Sequence, residues 1–491
     1  MTEDTTFPSP DGEPNPTFEE DGQGQEPPGQ DSPTPPDELA ALAEPAPQRL
    51  IIKARAGAFG EYRDQLEEQL GDQLGGGWAQ LKERFPELTI NRAFRGLEGL
   101  SEDGTEGGME SEIEGDSEEN EQSVLREAMT YYEVLLPPGR EEALEVGNAL
   151  SDFLNSVDAI EFTYFESPPA PQPSCDGTNR PYLSIAPRGM NVNPIQGGAA
   201  HKWPRVVDLE RVWDRNSHPQ LAHVGVLPGF EGPAPGSGYD NFVEEDFHAT
   251  RSLCVLVASG TPSAQNPGTL ECDGLLPPEA PVFLASSLDR EQSRWVERIN
   301  SKIELVTQPN NGMQPGDILL VELQICGRQR DSGAEVEAPI ELEPANDTAL
   351  RLARARGIIV IEPAGNGGVN LKDVNLWQGD RLGPISGTNA ICVAACHAIA
   401  SNAPIERLPE SNFGAAVSCF CWGENVPTEV GIYDGTSAAS ALIAGAAARI
   451  QGATMTSLQQ RLRVKQMRVA LKRGTDKTED LQIGVMPNLN P

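Results

Sequence analysis

The chain has 491 residues, a formal net charge of −37 and 38% hydrophobic residues, enough for one large domain with a smaller companion. A polyanion is repelled by nucleic acid, and no stretch is long and apolar enough to cross a membrane, so we expect neither as a partner. The N-terminus lacks the basic start and apolar run of a secretory signal, which predicts a cytoplasmic protein and leaves unconventional export open.

Two acidic segments hold most of the excess charge. Residues 1–48 contain 12 acidic and no basic side chains, and residues 101–122 contain 10 acidic and none basic. Their Pro, Gly, Glu and Asp content without apolar periodicity predicts a disordered leader and a disordered insert. The eight cysteines include no C-x-x-C pair, which argues against a structural zinc site.

Residues 49–166 form the first predicted folded unit, with the acidic insert inside it. Apolar runs predict strands at 50–54, 88–94, 131–136 and 159–165, and helical spacing predicts helices at 61–70 and 141–154. The order β-α-β-β-α-β is that of a small α+β ferredoxin-like domain. Residues 167–181 are rich in Pro and polar residues and are predicted to be a linker.

Residues 182–491 form the second predicted unit, in which strand and helix patterns alternate. That alternation predicts an α/β fold, a parallel sheet with helices on both faces. The predicted strands are 205–209, 224–227, 282–285, 318–325, 358–362 and 391–395. The predicted helices are 248–258, 290–305, 347–356, one beginning near residue 437, and 457–472.

Ser437 stands at the start of a segment, 435–448, so rich in Gly and Ala that it predicts a buried helix packed closely on a sheet. The first turn of a helix has unpaired N–H groups that favour an anion. A serine hydroxyl there becomes a nucleophile if a base removes its proton. The simpler alternative is that Thr436 and Ser437 only cap the helix.

Other residues of the second unit supply the partners that a serine nucleophile requires. Among five histidines, His248 precedes a helical run with a buried stripe, which suits a rigidly held base. Asp208 ends a predicted strand and can orient that base, whereas Glu210 and Asp214 lie beyond the apolar run and rank lower. Asn366, in a turn after another strand, can donate to an oxyanion. Each also has a purely structural interpretation, as a capping histidine, a turn-forming aspartate and an Asn-Gly turn.

Together these stretches resemble the subtilisin-like serine proteases, the subtilases. The specific segments are 435–440 (GTSAAS), followed by Ala444-Gly445, and 364–367 (AGNG), in the order Asp, His, Asn, Ser. Segments 411–414 and 483–489 add weaker likeness. The resemblance covers residues 182–491.

The resemblance implies a serine endopeptidase that hydrolyses polypeptides through an acyl-enzyme. It makes Ser437 the nucleophile, His248 the general base and acid, and Asp208 the orienting carboxylate, with Asn366 as the oxyanion donor. The residues it implies for the side-chain pocket and for pairing with the substrate backbone are Glu322, Leu323, Gln324, Pro363, Ala364 and Gly365. No organic cofactor and no metal ligand are implied; calcium often stabilises the family, but no loop identifies a site.

The chain departs from the family pattern around the site without losing a catalytic atom. Ala249 and Arg251 stand where a Gly and a His are usual, and Leu209-Glu210 where Thr-Gly is frequent. Ala441 replaces the proline that commonly follows the serine motif. These changes alter the electrostatics and the pocket shape.

Many subtilases carry a ferredoxin-like prodomain, so the resemblance also gives residues 49–166 a role. It implies a zymogen in which this unit assists folding and inhibits the site until self-cleavage in or near 167–181. One alternative is a pseudoprotease, a module that grips a protein segment without cutting it. Another is an esterase of the α/β-hydrolase fold, although Ser437 lacks a Gly-x-Ser-x-Gly elbow.

Overall fold

A computed structural model describes residues 47–59, 61–71, 74–97, 120–170, 202–213, 221–233, 245–257, 274–291, 294–379, 385, 387, 389–397, 405–428, 431–472 and 484. Several predictions fall wholly or mostly outside these residues. They are the leader 1–48, the insert 101–122, the linker 167–181 beyond residue 170, Asp214 and the segment 483–489.

The described residues of the N-terminal unit form four strands and four α-helices. In chain order they are β1 (Arg49–Ala54), α1 (Leu66–Leu70), α2 (Gly75–Arg84), β2 (Asn91–Arg92), α3 (Glu121–Ala128), β3 (Tyr131–Leu135), α4 (Arg140–Leu154) and β4 (Ile160–Phe165). The strands pair antiparallel in the order β2-β3-β1-β4. This strand order confirms the predicted ferredoxin-like unit, whose outer boundaries stay predictions.

Side-chain burial and backbone conformation explain how this unit folds and where it differs from the prediction. Helix α4 buries Ala143, Val146, Leu150 and Leu154 at helical spacing, which places one apolar face on the sheet. The helix predicted from residue 61 begins only at Leu66, because Gln65 has a left-handed backbone with φ of 58° that a helix does not accommodate.

The second unit is built on a central parallel sheet. Its first elements are β5 (Val206–Glu210), β6 (Gly225–Val226), α5 (Glu245–Val257), β7 (Val282–Ser286), β8 (Leu288–Glu291), β9 (Arg294–Glu297), α6 (Ile299–Val306), β10 (Ile318–Val321), β11 (Gln324–Gln329) and β12 (Glu335–Pro339). The remaining elements are α7 (Pro344–Ala355), β13 (Ile359–Pro363), β14 (Val374–Asn375), β15 (Ile391–Cys396), β16 (Cys419–Trp422), β17 (Val426–Thr428), β18 (Gly431–Tyr433), α8 (Gly435–Ser457) and α9 (Val464–Leu471).

Seven of these strands pair in the order β16-β15-β13-β10-β5-β7-β6, and every neighbouring pair is parallel. With helices packed around this sheet, the structure confirms the predicted α/β class. Helix α8 packs against β10, β13, β15 and β16, and its small side chains allow that close approach.

Three predicted elements of this unit have the wrong bounds. The helix predicted at 290–305 begins at Ile299, because Leu288–Glu291 and Arg294–Glu297 pair antiparallel as the hairpin strands β8 and β9, in which Arg290 lies opposite Trp295. The helix predicted at 457–472 begins only at Val464, because α8 extends to Ser457. The strand predicted at 318–325 ends at Val321, and Gln324 begins β11, which pairs antiparallel with β12. Apolar runs alone do not distinguish one continuous strand from two that diverge.

Two further features of the described residues are the hydrophobicity of the helices and the burial of the cysteines. Among the described helices, none combines the length and the hydrophobicity that crossing a membrane requires. The six described cysteines are all buried: Cys254, Cys326, Cys392, Cys396, Cys419 and Cys421.

Candidate active site

His248 and Glu210 form a buried pair at the carboxyl end of the sheet. Helix α5 carries His248, and Glu210 is the last residue of β5. His248 Nδ1 lies 3.1 Å from Glu210 Oε1, with each side chain only 3% exposed. A carboxylate on Nδ1 fixes the orientation and tautomer of an imidazole and stabilises its protonated form.

The predicted contact between Asp208 and His248 is wrong. Asp208 is in register with Leu320 on one side and Leu284 on the other, whereas Glu210 lies opposite Ser286 at the strand end. Both side chains share one face of β5 because strand residues alternate. Glu210 lies two positions nearer the strand end and is one methylene longer, and it is the carboxylate that bonds the ring.

Asp208 is instead an isolated buried acid. Its side chain is fully buried, and neither carboxyl oxygen has a hydrogen-bond partner in the part of the chain that the structure describes. Burial, with a smaller contribution from the Glu210 charge, raises the pKa of Asp208 well above its ordinary value. Asp208 therefore keeps its proton under conditions in which an exposed aspartate has lost it.

The imidazole of His248 is neutral near pH 7. Burial, together with the charges of Arg251 and Arg211, lowers the pKa of His248 to about 3. A neutral imidazole whose Nδ1 proton is bonded to a carboxylate has a lone pair on Nε2, the form that a general base needs.

Tyr433 occupies the other side of the ring. Its hydroxyl oxygen lies 3.3 Å from His248 Nε2, and the two rings meet edge to face at 5.3 Å. Ser437 Oγ is buried near the Glu322 carboxyl and has no hydrogen bond of normal geometry among the described residues. The predicted nucleophile and base thus belong to one buried region without a hydrogen bond between them.

Asn366 is bonded to the first turn of the helix that bears Ser437. Asn366 Oδ1 accepts hydrogen bonds from Thr436 N at 2.9 Å and from Thr436 Oγ1 at 3.0 Å. Gly435 has φ of +81°, and a Cβ added there would lie 3.0 Å from Asn366 Oδ1. Glycine is therefore required for both the backbone conformation and the close approach.

The predicted pocket residues are buried around this region. Glu322 is fully buried and Glu322 Oε1 accepts from Ser440 Oγ at 2.7 Å. Leu323 lies in the core. Gln324 Oε1 accepts from Asn366 N at 3.0 Å and from Asn366 Nδ2 at 3.3 Å. The other three, Pro363, Ala364 and Gly365, are buried where β13 ends.

The end of the N-terminal unit runs along β11, beside the predicted substrate-binding segment. Ala170 N donates to Gln324 O at 3.2 Å, and Cys326 N donates to Pro168 O at 3.0 Å. Arg211 Nη1 donates to Ala170 O at 3.3 Å, and Arg211 Nη2 donates to Gln324 O at 2.8 Å. The chain's own segment thus pairs with this strand as an antiparallel peptide.

Three residues at this site were ranked low or not identified from the sequence. Because side chains alternate along a strand, Glu210 lies on the same face of β5 as Asp208 and nearer the strand end. This spacing could have identified Glu210 from the sequence. Arg211 and Tyr433 have no such signal, because their contacts depend on tertiary packing. Within the described part of the chain, no cluster of three or more His, Cys, Asp or Glu side chains could hold a metal ion.

Comparisons with known proteins give likeness of fold. A mutant of the epidermin leader peptide processing serine protease from Staphylococcus aureus is 12% identical, with a TM-score of 0.47 over 90% of this chain and 98% of that chain. The self-cleaved protease domain of PatA is 16% identical, with a TM-score of 0.41 over 58% of this chain and 93% of that chain. A cold adapted subtilisin-like serine proteinase is 16% identical, with a TM-score of 0.38 over 58% and 88% of the two chains.

No protein-family model and no curated protein matches the chain. Structural likeness at these identities and TM-scores carries no argument about activity.

Proposed function

We propose that this chain is a serine endopeptidase of the subtilisin type. Ser437 is the nucleophile and His248 the general base, and Glu210 takes the place of the predicted Asp208 as the orienting carboxylate. Asn366 is the oxyanion donor. The observation that carries the proposal is the buried Glu210–His248 pair. It lies at the same sheet edge as the start of α8, which bears Ser437 and is hydrogen-bonded to Asn366.

The chemistry follows from these positions. Ser437 Oγ attacks the carbonyl carbon of a peptide bond while His248 Nε2 accepts the hydroxyl proton. The oxyanion is stabilised by the Asn366 amide and the N–H groups of the first turn of α8. The imidazolium then protonates the leaving amine, and water hydrolyses the acyl-enzyme by the reverse sequence of proton transfers.

The proposal is tested by fluorophosphonate labelling and by following self-cleavage of the full chain. We expect wild type to be labelled at Ser437 or to cleave itself, and Ser437→Ala to do neither. Ser440→Ala, on the same helix and bonded to Glu322, is the matched control and should still react. A wild type that neither labels nor cleaves would favour the pseudoprotease.

The chain is further proposed to be a zymogen inhibited by residues 49–166. Support comes from the segment Pro168–Ala170, which pairs with β11 where a substrate backbone would pair. While this segment is paired with β11, a substrate peptide cannot pair with the same strand. The Arg211 guanidinium, held by Glu297 Oε1 at 2.8 Å, binds the Ala170 carbonyl and would bind the equivalent carbonyl of a substrate.

Charged contacts also attach the N-terminal unit to the second unit. Arg298 Nε donates to Glu133 Oε1 at 3.0 Å, and Arg49 contacts Glu133, Glu166 and Asn300. Arg351 Nη1 donates to Glu127 Oε2 at 2.8 Å. These contacts hold the unit so that its last strand continues into the 168–170 segment.

Self-cleavage is tested by determining the N-terminus of purified active protein. We expect a new N-terminus within or near 167–181 in wild type and an intact chain in Ser437→Ala. An active protein that keeps its original N-terminus would contradict the zymogen proposal while leaving the protease proposal standing.

A further inference from the structure

Four buried side chains, those of His248, Glu210, Tyr433 and Ser252, form a closed ring of hydrogen bonds. His248 Nδ1 lies 3.1 Å from Glu210 Oε1, and His248 Nε2 lies 3.3 Å from Tyr433 Oη. Tyr433 Oη lies 2.8 Å from Ser252 Oγ, which donates to Glu210 Oε1 at 3.4 Å. Ser252 stands one helical turn after His248 on α5, so it faces the same side of the helix.

One distribution of protons satisfies every member of this ring. His248 donates from Nδ1 to Glu210, which leaves a lone pair on Nε2. Tyr433 donates its hydroxyl proton to that lone pair. Ser252 then donates to Tyr433 Oη or to Glu210, both of which have acceptor capacity.

In this arrangement the lone pair of His248 Nε2 already accepts a hydrogen bond. Nε2 has a single lone pair, and that lone pair must accept the proton of Ser437 if the serine is to attack. Tyr433 holds it instead, and Ser437 Oγ has the Glu322 carboxyl nearby but no hydrogen bond of normal geometry among the described residues. We propose that Tyr433 is a positioning residue that keeps His248 idle until the hydroxyl of Ser437 displaces that of Tyr433 from Nε2. The inference rests on the proposed protease function.

The displacement requires only a local change. Tyr433 belongs to β18, which pairs with β17 in a two-stranded sheet outside the seven-stranded one. Three residues separate it from Ser437, among them Gly435 with φ of +81°. After the exchange Tyr433 still has Ser252 as a partner, so no buried hydroxyl is left unbonded, and Ser437 gains a hydrogen bond to His248 Nε2.

Tyr433→Phe tests the proposal because it removes the hydroxyl and keeps the ring against His248. We expect full-length Tyr433→Phe to label with fluorophosphonate, or to cleave itself, about two- to tenfold faster than wild type, the effect of one released hydrogen bond. A rate equal to or below that of wild type would overturn the proposal and leave the protease function intact. Failure of every variant to label or cleave would instead refute the protease function on which the proposal rests.

Ser252→Ala is the matched control from the same ring. It leaves Nε2 as the partner of the Tyr433 hydroxyl, so we expect its labelling to be no faster than wild type. Equal acceleration in both variants would assign the effect to loosened packing and would overturn the proposal.

A second measurement is independent of turnover. In the Ser437→Ala background with 15N-labelled histidine, the His248 signals are assigned by their loss in His248→Gln. Tyr433→Phe should shift the Nε2 resonance towards that of an unbonded imidazole nitrogen, while Ser252→Ala should not. An unchanged Nε2 resonance in Tyr433→Phe would show that the tyrosine does not hold the base.

Discussion

At the scale of single residues, three carboxyl groups share one buried region and differ in their partners. Glu210 bonds His248 Nδ1, and Glu322 bonds Ser440. The carboxyl group of Asp208 has no hydrogen-bond partner among the described residues. A buried carboxyl without a partner is destabilising in its charged form, so Asp208 opposes folding whenever the unfolded chain would be ionised there.

Asp208→Asn is expected to stabilise the protein as pH rises. The folded pKa of Asp208 is raised, so above about pH 4 unfolding releases a proton, and the free energy of unfolding falls as pH increases towards the folded pKa. The slope from this one group is about 1.4 kcal/mol per pH unit. Urea unfolding from pH 5 to 8 should therefore show a flatter profile in Asp208→Asn, and an identical slope in both proteins would contradict this assignment.

The residue types of the proposed machinery could be read from the sequence, but the identity of one partner could not. Ser437, His248 and Asn366 stand in motifs whose spacing points to a helix start, a helix and a strand end. The choice between Asp208 and Glu210 depends on which of them reaches α5, and that is set by how far β5 extends between β10 and β7. The apolar pattern alone favoured Asp208, which is not the partner of His248.

At the scale of elements, α8 connects the core to the site. Its small residues are buried along most of the helix, and its first turn is bonded to Asn366 through Thr436. The strand and helix alternation of the second unit was predictable because its parallel strands are continuous apolar runs. The hairpin β8–β9 was not, because its alternating charged residues also fit a helical period.

Gly435→Ala is expected to damage both stability and activity. A side chain at φ of +81° costs about 1–2 kcal/mol, and the added Cβ would press on the Asn366 amide. Labelling of Ser437 should slow as well, because Asn366 moves from the helix start.

Gly333→Ala is the matched control for that variant. Gly333 also has positive φ, at +69°, but a Cβ there meets nothing within 4 Å. We expect a similar loss in urea unfolding without a change in the labelling rate. Equal slowing in both variants would mean that the Gly435 contact with Asn366 does not matter to the site.

At the scale of the whole molecule, buried ion pairs attach the N-terminal unit. Although burial raises the pKa of Glu133, Arg298, Arg49 and Arg95 hold it down to about 2. Arg49 and Arg298 are each 1% exposed. The sequence predicted a separate unit here, but not these pairs, because they join residues more than eighty positions apart along the chain.

Glu133→Gln is expected to destabilise the full chain by about 3–5 kcal/mol, since it removes the buried carboxylate that Arg49 and Arg298 share and leaves them with Glu166 and Glu291, respectively. The wild-type contribution is present above about pH 4.5 and is lost as pH falls towards the folded value. Urea unfolding at neutral pH measures the loss. Glu145→Gln, which breaks the exposed Glu145–Arg84 pair, should have no measurable effect, and similar values for both variants would contradict the importance of the buried network.

The most direct test of the central assignment compares Glu210→Gln with Asp208→Asn in the reaction of Ser437 with fluorophosphonate, with the adduct located by mass spectrometry. If Glu210 orients the His248 base, Glu210→Gln slows labelling by a factor on the order of 10³–10⁴, and Asp208→Asn stays within about threefold of wild type, a difference below ~1 kcal/mol. The reverse order, or an adduct on a residue other than Ser437, would contradict the account.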